Sequence, residues 1–421
     1  MTYEPLSISA DAMAYQRDWV KSLRFQIEGG ARYAFVNADT PHEVFHAMEM
    51  PVVVNQWWSS VIAAKQLSSH TLDRGAAMGF HDSLAKYSAM GVISALDGDP
   101  DKQPWGGLPD PAILCARQSS DDQQRLFQLY ADKADAPLAL LHCPAPPENL
   151  NPWWDLARDD WERLYGTERL DLMQSQIRDL IGQVEEITGR DFDHEAFGAY
   201  MEEIETQELI FEEASRMIAG AERMPVRIGE QIPNVMIPQW HRGSDWAVAH
   251  AGRFRDAVGE RIEAGRAVVD DERVRMMWIG AGLWFDTRFY TAFEDEFGAV
   301  FAWSMYLPFA ADGYVRRSKG DYLRALAARV VTMNEQLHQA PWANAWLVKQ
   351  ARDYRIDLAV VLVPEADRQS GYATNFITED LREAGVEVVE IHADMVDARK
   401  WDGARAKADV ADGIRRVLGA T

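Results

Sequence analysis

Two blocks of strand-length, almost uninterrupted apolar runs, separated by a long amphipathic stretch, constrain the fold of this chain most. The first block holds residues 31–37 (ARYAFVN), 50–55 (MPVVVN), 112–116 (AILCA) and 137–143 (PLALLHC). The second holds 274–280 (VRMMWIG), 299–306 (AVFAWSMY), 358–364 (LAVVLVP) and 386–392 (VEVVEIH). Runs that do not alternate with polar residues suit strands covered on both faces, as crossover helices cover a parallel sheet. Helical patterns fill the gaps at 41–48, 58–65, 72–91 and 121–132. Between the blocks, 152 to about 266 is rich in Glu, Arg, Gln and Ile. Its breaks fall at the Thr188–Asp191 turn and a 225–238 loop, which predicts two or three long helices. The expected architecture is α/β: two flavodoxin-like (Rossmann-like) parallel-sheet lobes joined by a helical middle region. The expected boundaries are 1–151, 152–268 and 269–421, a division that suits 421 residues.

Charge narrows the partners. Lys and Arg number 43 against 66 Asp and Glu, a net charge of −23, whereas a nucleic-acid surface needs a basic face. The first residues lack a basic segment followed by an apolar core, so no secretory leader is expected. No apolar run approaches the roughly 20 residues of a membrane helix. Two cysteines, Cys115 and Cys143, cannot build a disulfide framework in a chain this long. A cytoplasmic protein with no nucleic-acid or membrane partner is expected. The 15 Trp residues, many beside Pro, Gly or Ser, suggest aromatic-lined pockets or a large interface, alongside ordinary core packing.

Ligands of open parallel sheets bind beyond the carboxyl ends of the strands. In the first lobe those ends carry Asn37 and Asp39, then Asn55, Gln56, Trp57 and Trp58, then Arg117, Gln118, Ser119 and Ser120, then His142 and Cys143. In the second they carry Trp284, Phe285 and Asp286, then Tyr306, then Glu365, Ala366 and Asp367, then His392 with Asp394. The cleft between the lobes is the default pocket.

Familiar motifs are weak. His42-Glu43-Val44-Phe45-His46 matches H-E-x-x-H, which can bind zinc on a helix. Here the helix is confined between Pro41 and Pro51, so packing by Val44, Phe45 and Met48 is the better reading, and no metal is expected. Gly280-Ala281-Gly282 lacks the third Gly of a dinucleotide fingerprint and reads as a tight turn. Neither a P-loop nor a G-x-S-x-G elbow is present. Cys115, inside a strand, reads as an inert thiol. His142 and Cys143, as neighbours on a strand, point to opposite faces and do not form a nucleophile–base pair.

Several stretches together are similar to a known family. They are residues 41–52 (PHEVFHAMEMPV), 55–64 (NQWWSSVIAA), 79–87, the 106–111 loop (GGLPDP), Ser120-Asp121, the Gly280–Gly282 turn and the closing 357–392 unit. They resemble a subunit of the 2-hydroxyacyl-CoA dehydratase and benzoyl-CoA reductase family over nearly the whole chain. The resemblance implies two flavodoxin-like lobes, pairing with a homologous α/β subunit as a heteromer, an acyl-CoA substrate and a [4Fe–4S] cluster on Cys ligands. The family's cluster cysteines fall on Ala85, on Ser120 and near Asp367, and a cluster held by thiolates cannot use Ala. No cofactor is therefore expected in this chain, with CoA present only as part of the substrate and any cluster in a partner subunit.

Two functions follow. One is cluster-free acid/base chemistry beside a thioester: hydration, dehydration or C–C cleavage of an aromatic or bulky acyl-CoA. Asp286, Glu365, Asp367 and His392 would be the acids and bases. Asn55, Gln56, Trp57, Trp58, Arg117, Ser120 and Trp284 would bind substrate, with Arg117 or Ser120 on the thioester oxygen. The other is a non-catalytic subunit completing a site whose homologous chain holds the cluster.

Overall fold

Among the described residues eight short strands form two separate four-stranded sheets, and every pairing is parallel. The computed structural model describes residues 3–118, 120, 122–144, 150–305, 307, 317–335, 342–367 and 371–419. Ser119, Asp121 and Tyr306 lie outside the described residues. In the first lobe β1 (Ala34–Val36), β2 (Val52–Val54), β3 (Ile113–Arg117) and β4 (Leu138–Leu141) lie in the order β2-β1-β3-β4. In the second, β5 (Val274–Ile279), β6 (Ala299–Ser304), β7 (Leu358–Val363) and β8 (Glu387–His392) lie in the order β6-β5-β7-β8. The two orders are the same, so the lobes repeat one doubly wound plan. All residues of β1, β2, β3, β5 and β6 are buried, as two-sided helix cover requires.

The middle is built from Thr167–Thr188, His194–Gly220, Ile228–Trp240 and Asp245–Glu263. Gly189, at φ 69°, ends the first of these, and the Asp193 carboxylate caps the second through Glu195 N and Ala196 N. Helix Ile228–Trp240 replaces the expected loop. Pro233 and Pro238 each remove an N–H, but burial of Ile232, Val235, Met236 and Ile237 outweighs that loss. The expected helix at 72–91 is instead two, Ser68–Ala77 and Lys86–Asp97, separated where Gly79 turns at φ 97°. A further helix, Ser7–Glu28, packs on Ile228–Trp240. Asn234 Nδ2 donates to Ser9 Oγ (2.7 Å) and His241 shares a hydrogen bond with Gln16 Oε1 (3.0 Å).

Candidate active site

The strand order places a crevice between the carboxyl ends of β1 and β3 and another between those of β5 and β7. In the first crevice the chain forms a connected polar net. Asn37 Nδ2 donates to Asp39 Oδ1 (2.6 Å), and Gln56 Nε2 donates to Asn37 Oδ1 (2.6 Å). Ala38 N donates to Gln56 Oε1 (3.0 Å). Arg117, wholly buried at the end of β3, has Nε 3.6 Å from Asp39 Oδ2 and donates to the Val330 carbonyl. Val330 belongs to helix Tyr322–Glu335, so Arg117 reaches from the first lobe into the segment between β6 and β7. The structure thus brings Asn37, Asp39, Gln56 and Arg117 together.

Other expected binding residues go elsewhere. Asn55 Nδ2 donates to Ser88 O (2.8 Å), and Asn55 Oδ1 occupies the space left by Gly91, where a Cβ would approach it to 2.2 Å. Trp58 is 1 % exposed and belongs to the main core. Trp57 is half-buried and faces Trp105 (ring centroids 6.4 Å, interplanar 17°) and Trp19 (6.1 Å, 77°). Ser120 Oγ donates to Asp122 Oδ1 (2.6 Å).

In the second lobe Gly280 turns at φ 112° with its Cα facing Leu362, where a Cβ would come within 2.9 Å of a side-chain carbon. The turn reading of Gly280–Gly282 therefore has its cause in close packing against β7. Half-buried Trp284 follows, its N donating to Met395 O (3.3 Å). Asp286 Oδ2 accepts from Trp401 Nε1 (3.2 Å), and Glu365 Oε2 accepts from Lys400 Nζ (3.1 Å). His392 is exposed, with Nε2 4.0 Å from Glu390 Oε2. Asp367 is half-buried and its carbonyl accepts from Gly371 N (3.0 Å). Asp286 and Glu365 thus bond the adjacent residues Trp401 and Lys400, whereas His392 faces Glu390 of its own strand.

Side chains outside the expected site, chiefly Lys86 and Arg399, join the lobes. Lys86 is 4 % exposed, with Nζ 3.8 Å from Asp82, 3.9 Å from Asp394 and 3.5 Å from Asp397. Arg399 reaches Asp73 (2.8 Å), Asp82 (3.0 Å) and Asp397 (2.7 Å). Gln66 Nε2 donates to Phe285 O (3.0 Å). Deeper, Glu43 Oε1 accepts from Arg242 Nε and Arg329 Nη1, each at 2.6 Å. Burial favours protonation of Glu43, but the two guanidiniums hold its carboxyl well below the usual range. The same burial keeps His42 well below its ordinary value and pushes His46 down to about 4. Glu43 is therefore a structural anchor rather than a zinc-site base. Among the described residues no group of three or more His, Cys, Asp or Glu is disposed to hold a metal ion.

The positions of the family cysteines test the cluster. Ala85 N donates to Asp122 Oδ2 (3.1 Å), so Ala85 and Ser120 meet on one carboxylate. The side chains there are a methyl and a hydroxyl already engaged. Cys115 is buried within β3, and burial pushes its thiol well up. Cys143 lies beyond β4 and accepts from Arg169 Nη2 (3.5 Å), while its neighbour His142 faces Gln118. This donor set does not fit a thiolate-held [4Fe–4S] cluster. Elsewhere, a cavity of about 420 Å³ opens between β6 and helices His194–Gly220 and Trp342–Asp353, with Trp154, Trp303 and Tyr354 in its wall. Its charges are largely paired, Arg158 with Glu212 and Lys349 with Asp353.

Paired doubly wound lobes with polar groups at both carboxyl edges define a two-lobed α/β chain. The chain belongs to the 2-hydroxyglutaryl-CoA dehydratase D-component family, whose model (2-hydroxyglutaryl-CoA dehydratase, D-component) matches residues 37–409. It is 20 % identical over 401 residues to the (R)-phenyllactyl-CoA dehydratase alpha subunit of Clostridium sporogenes, covering 93 % of this chain and 90 % of that one. No helix among the described residues is long and apolar enough to cross a membrane.

Proposed function

We propose that this chain is one subunit of a heteromeric acyl-CoA enzyme of the dehydratase type and carries no iron–sulfur cluster of its own. The observation that carries the reading is the family match combined with a methyl group and a hydroxyl, Ala85 and Ser120, where cluster thiolates are expected. The chemistry left to the chain is acid–base. Asp286, Glu365, Asp367 and His392 follow the carboxyl ends of the second sheet's strands and are the candidate acids and bases for a thioester held between the lobes. On the first lobe, the Asn37–Gln56 net supplies hydrogen-bond donors for the thioester oxygen, and wholly buried Arg117, expected to bind that oxygen itself, instead braces the net through Asp39. Half-buried Trp57 and Trp284 are the aromatic contacts for the acyl group, while Trp58 supports Trp57 from the core. The relative named for phenyllactyl-CoA supports an aromatic acyl group, and its designation as an alpha subunit supports a homologous partner chain.

A second reading, a non-catalytic subunit beside a cluster-bearing homologue, is favoured by one feature. Asp286 and Glu365 are already bonded to Trp401 and Lys400. Calorimetric titration of the chain with CoA and phenyllactyl-CoA, alone and with a co-expressed homologous subunit, separates the two. Saturable binding and turnover by the isolated chain support the first reading. Binding or turnover only in the complex supports the second, and no binding in either sample rejects both. Anaerobic iron and acid-labile sulfide assays on the isolated chain should find neither in stoichiometric amount. Stoichiometric iron and sulfide would reject the cluster-free reading.

A further inference from the structure

We infer that Lys86 and Arg399 form an ionic latch that holds the two lobes together and positions the candidate acids Asp286 and Glu365. The ion pairs run between two contiguous segments, 73–86 of the first lobe and 394–400 of the second. Lys86 contacts Asp394 and Asp397, Arg399 contacts Asp73 and Asp82, and Lys400 Nζ lies 3.9 Å from Asp82 Oδ2. The second segment is also built internally. Asp394 Oδ1 accepts from Val396 N (2.9 Å) and Asp397 N (3.0 Å), and Asp397 grips Arg399 through Oδ1 and Oδ2. This local folding presents the carboxylates and the guanidinium toward the first lobe as one unit.

Burial separates the latch from an ordinary surface ion pair. Exposed pairs contribute little, but Lys86, Asp394 and Asp397 are all nine-tenths or more buried. When Asp394 and Asp397 move away, the nearly buried Lys86 ammonium keeps only Asp82 of its own segment, 3.8 Å away, so parting the segments costs it its two buried carboxylates. The segment continues directly into the candidate site. Lys400 bonds Glu365 and Trp401 bonds Asp286, so displacement of 394–400 displaces both acids' partners. Lys86 and Arg399 are thus positioning residues. Lys86 directly follows Ala85, where the family resemblance expects a metal-cluster ligand, so the ion pairs join the lobes where a cluster ligand is missing.

The test uses the full chain and reads lobe geometry rather than CoA chemistry, so it stands whether or not acyl-CoA binds. Hydrogen exchange of peptides covering 66–86 and 393–402 is measured with the radius of gyration from solution scattering. The variants are Lys86→Met, Arg399→Ala and Arg399→Lys. Arg416→Ala is the control, because it removes a pair with Glu387 inside the second lobe (2.7 Å). Arg399→Ala should speed exchange in both segments about tenfold, the size expected for contacting residues in one network. It should also raise the radius of gyration, and Arg399→Lys should recover part of both effects. In the wild type, salt that shortens the Debye length from about 30 Å to about 3 Å should loosen mainly the exposed Arg399 pairs with Asp73 and Asp82, the buried Lys86 pairs being screened much less. Should Lys86→Met fail to fold, Arg399→Ala, whose side chain is partly exposed, carries the test alone. The inference is overturned if Arg399→Ala matches Arg416→Ala in both readouts. It is also overturned if iron chelation alone separates the lobes in the wild type.

Discussion

Trp57 and Trp58 are adjacent in sequence and differ in everything that follows from burial. Trp58 is 1 % exposed, so truncation to Ala leaves a void and should lower unfolding stability by about 3–5 kcal/mol. Trp57 is half-buried beside Trp105 and Trp19, where an aromatic ligand ring gains about 0.5–1.5 kcal/mol from ring contact. Trp57→Leu should therefore weaken phenyllactyl-CoA binding by roughly 2- to 12-fold while leaving the denaturant midpoint nearly unchanged. Calorimetry and urea unfolding on the two variants check the pair. Equal affinity in wild type and Trp57→Leu would remove the tryptophan from the acyl pocket. Sequence reasoning grouped the two because the rule about carboxyl ends selects positions, and only the direction of each side chain separates them.

At the scale of elements, buried histidines on packed helices set a pH response. Burial pushes His241 down to about 3 and His46 down to about 4, from an ordinary 6.5. Above pH 6.5 these rings are neutral in both the folded and unfolded chain, so they leave stability unchanged. Below it the unfolded chain binds protons that the folded one refuses, and stability falls as pH drops from 6.5 toward 4. Each such group contributes a slope of up to about 1.4 kcal/mol per pH unit. Thermal unfolding across that window should show the loss, and His241→Gln should flatten it by one group's share. A slope unchanged in that variant would show that His241 protonates freely in the folded state.

The elements themselves were legible to different degrees. The eight strands of the described residues all fall on apolar runs; two-sided burial accounts for β1, β2, β3, β5 and β6, whereas β4 and β8 also carry half-buried positions. β1 and β2 are nonetheless only three residues long, since the runs continue into turns and helix starts that are equally buried. Helix Ile228–Trp240 was hidden by its two prolines, whose local cost is outweighed by core contacts from distant segments. The split between Ser68–Ala77 and Lys86–Asp97 was hidden because apolar residues keep a helical spacing through the turn at Gly79. Asn37, Asp39, Gln56 and Arg117 were legible as strand-end residues, but the bonds that link them were not. The partners of Asp286 and Glu365, Trp401 and Lys400, lie 115 and 35 residues away, and no local pattern connects them.

On the scale of the whole molecule, one carboxylate joins three regions. Glu43 comes from the first lobe, Arg242 from just beyond helix Ile228–Trp240 and Arg329 from the helix between β6 and β7. All three are nearly fully buried. Removing one partner of a buried charge pair strands the other charges, at a cost of about 3–5 kcal/mol. Glu43→Ala should therefore lower the urea midpoint sharply, and a loss below 1 kcal/mol, the range of exposed pairs, would contradict this account. The shared carboxylate also bears on heredity. A gene fusion or recombination event that imports only one lobe would leave a buried glutamate without its arginines, or two arginines whose nearest remaining carboxylate is Glu208, 3.8 Å from Arg329. Glu43, Arg242 and Arg329 are therefore expected to change together, with Glu208 as the remaining carboxylate beside Arg329.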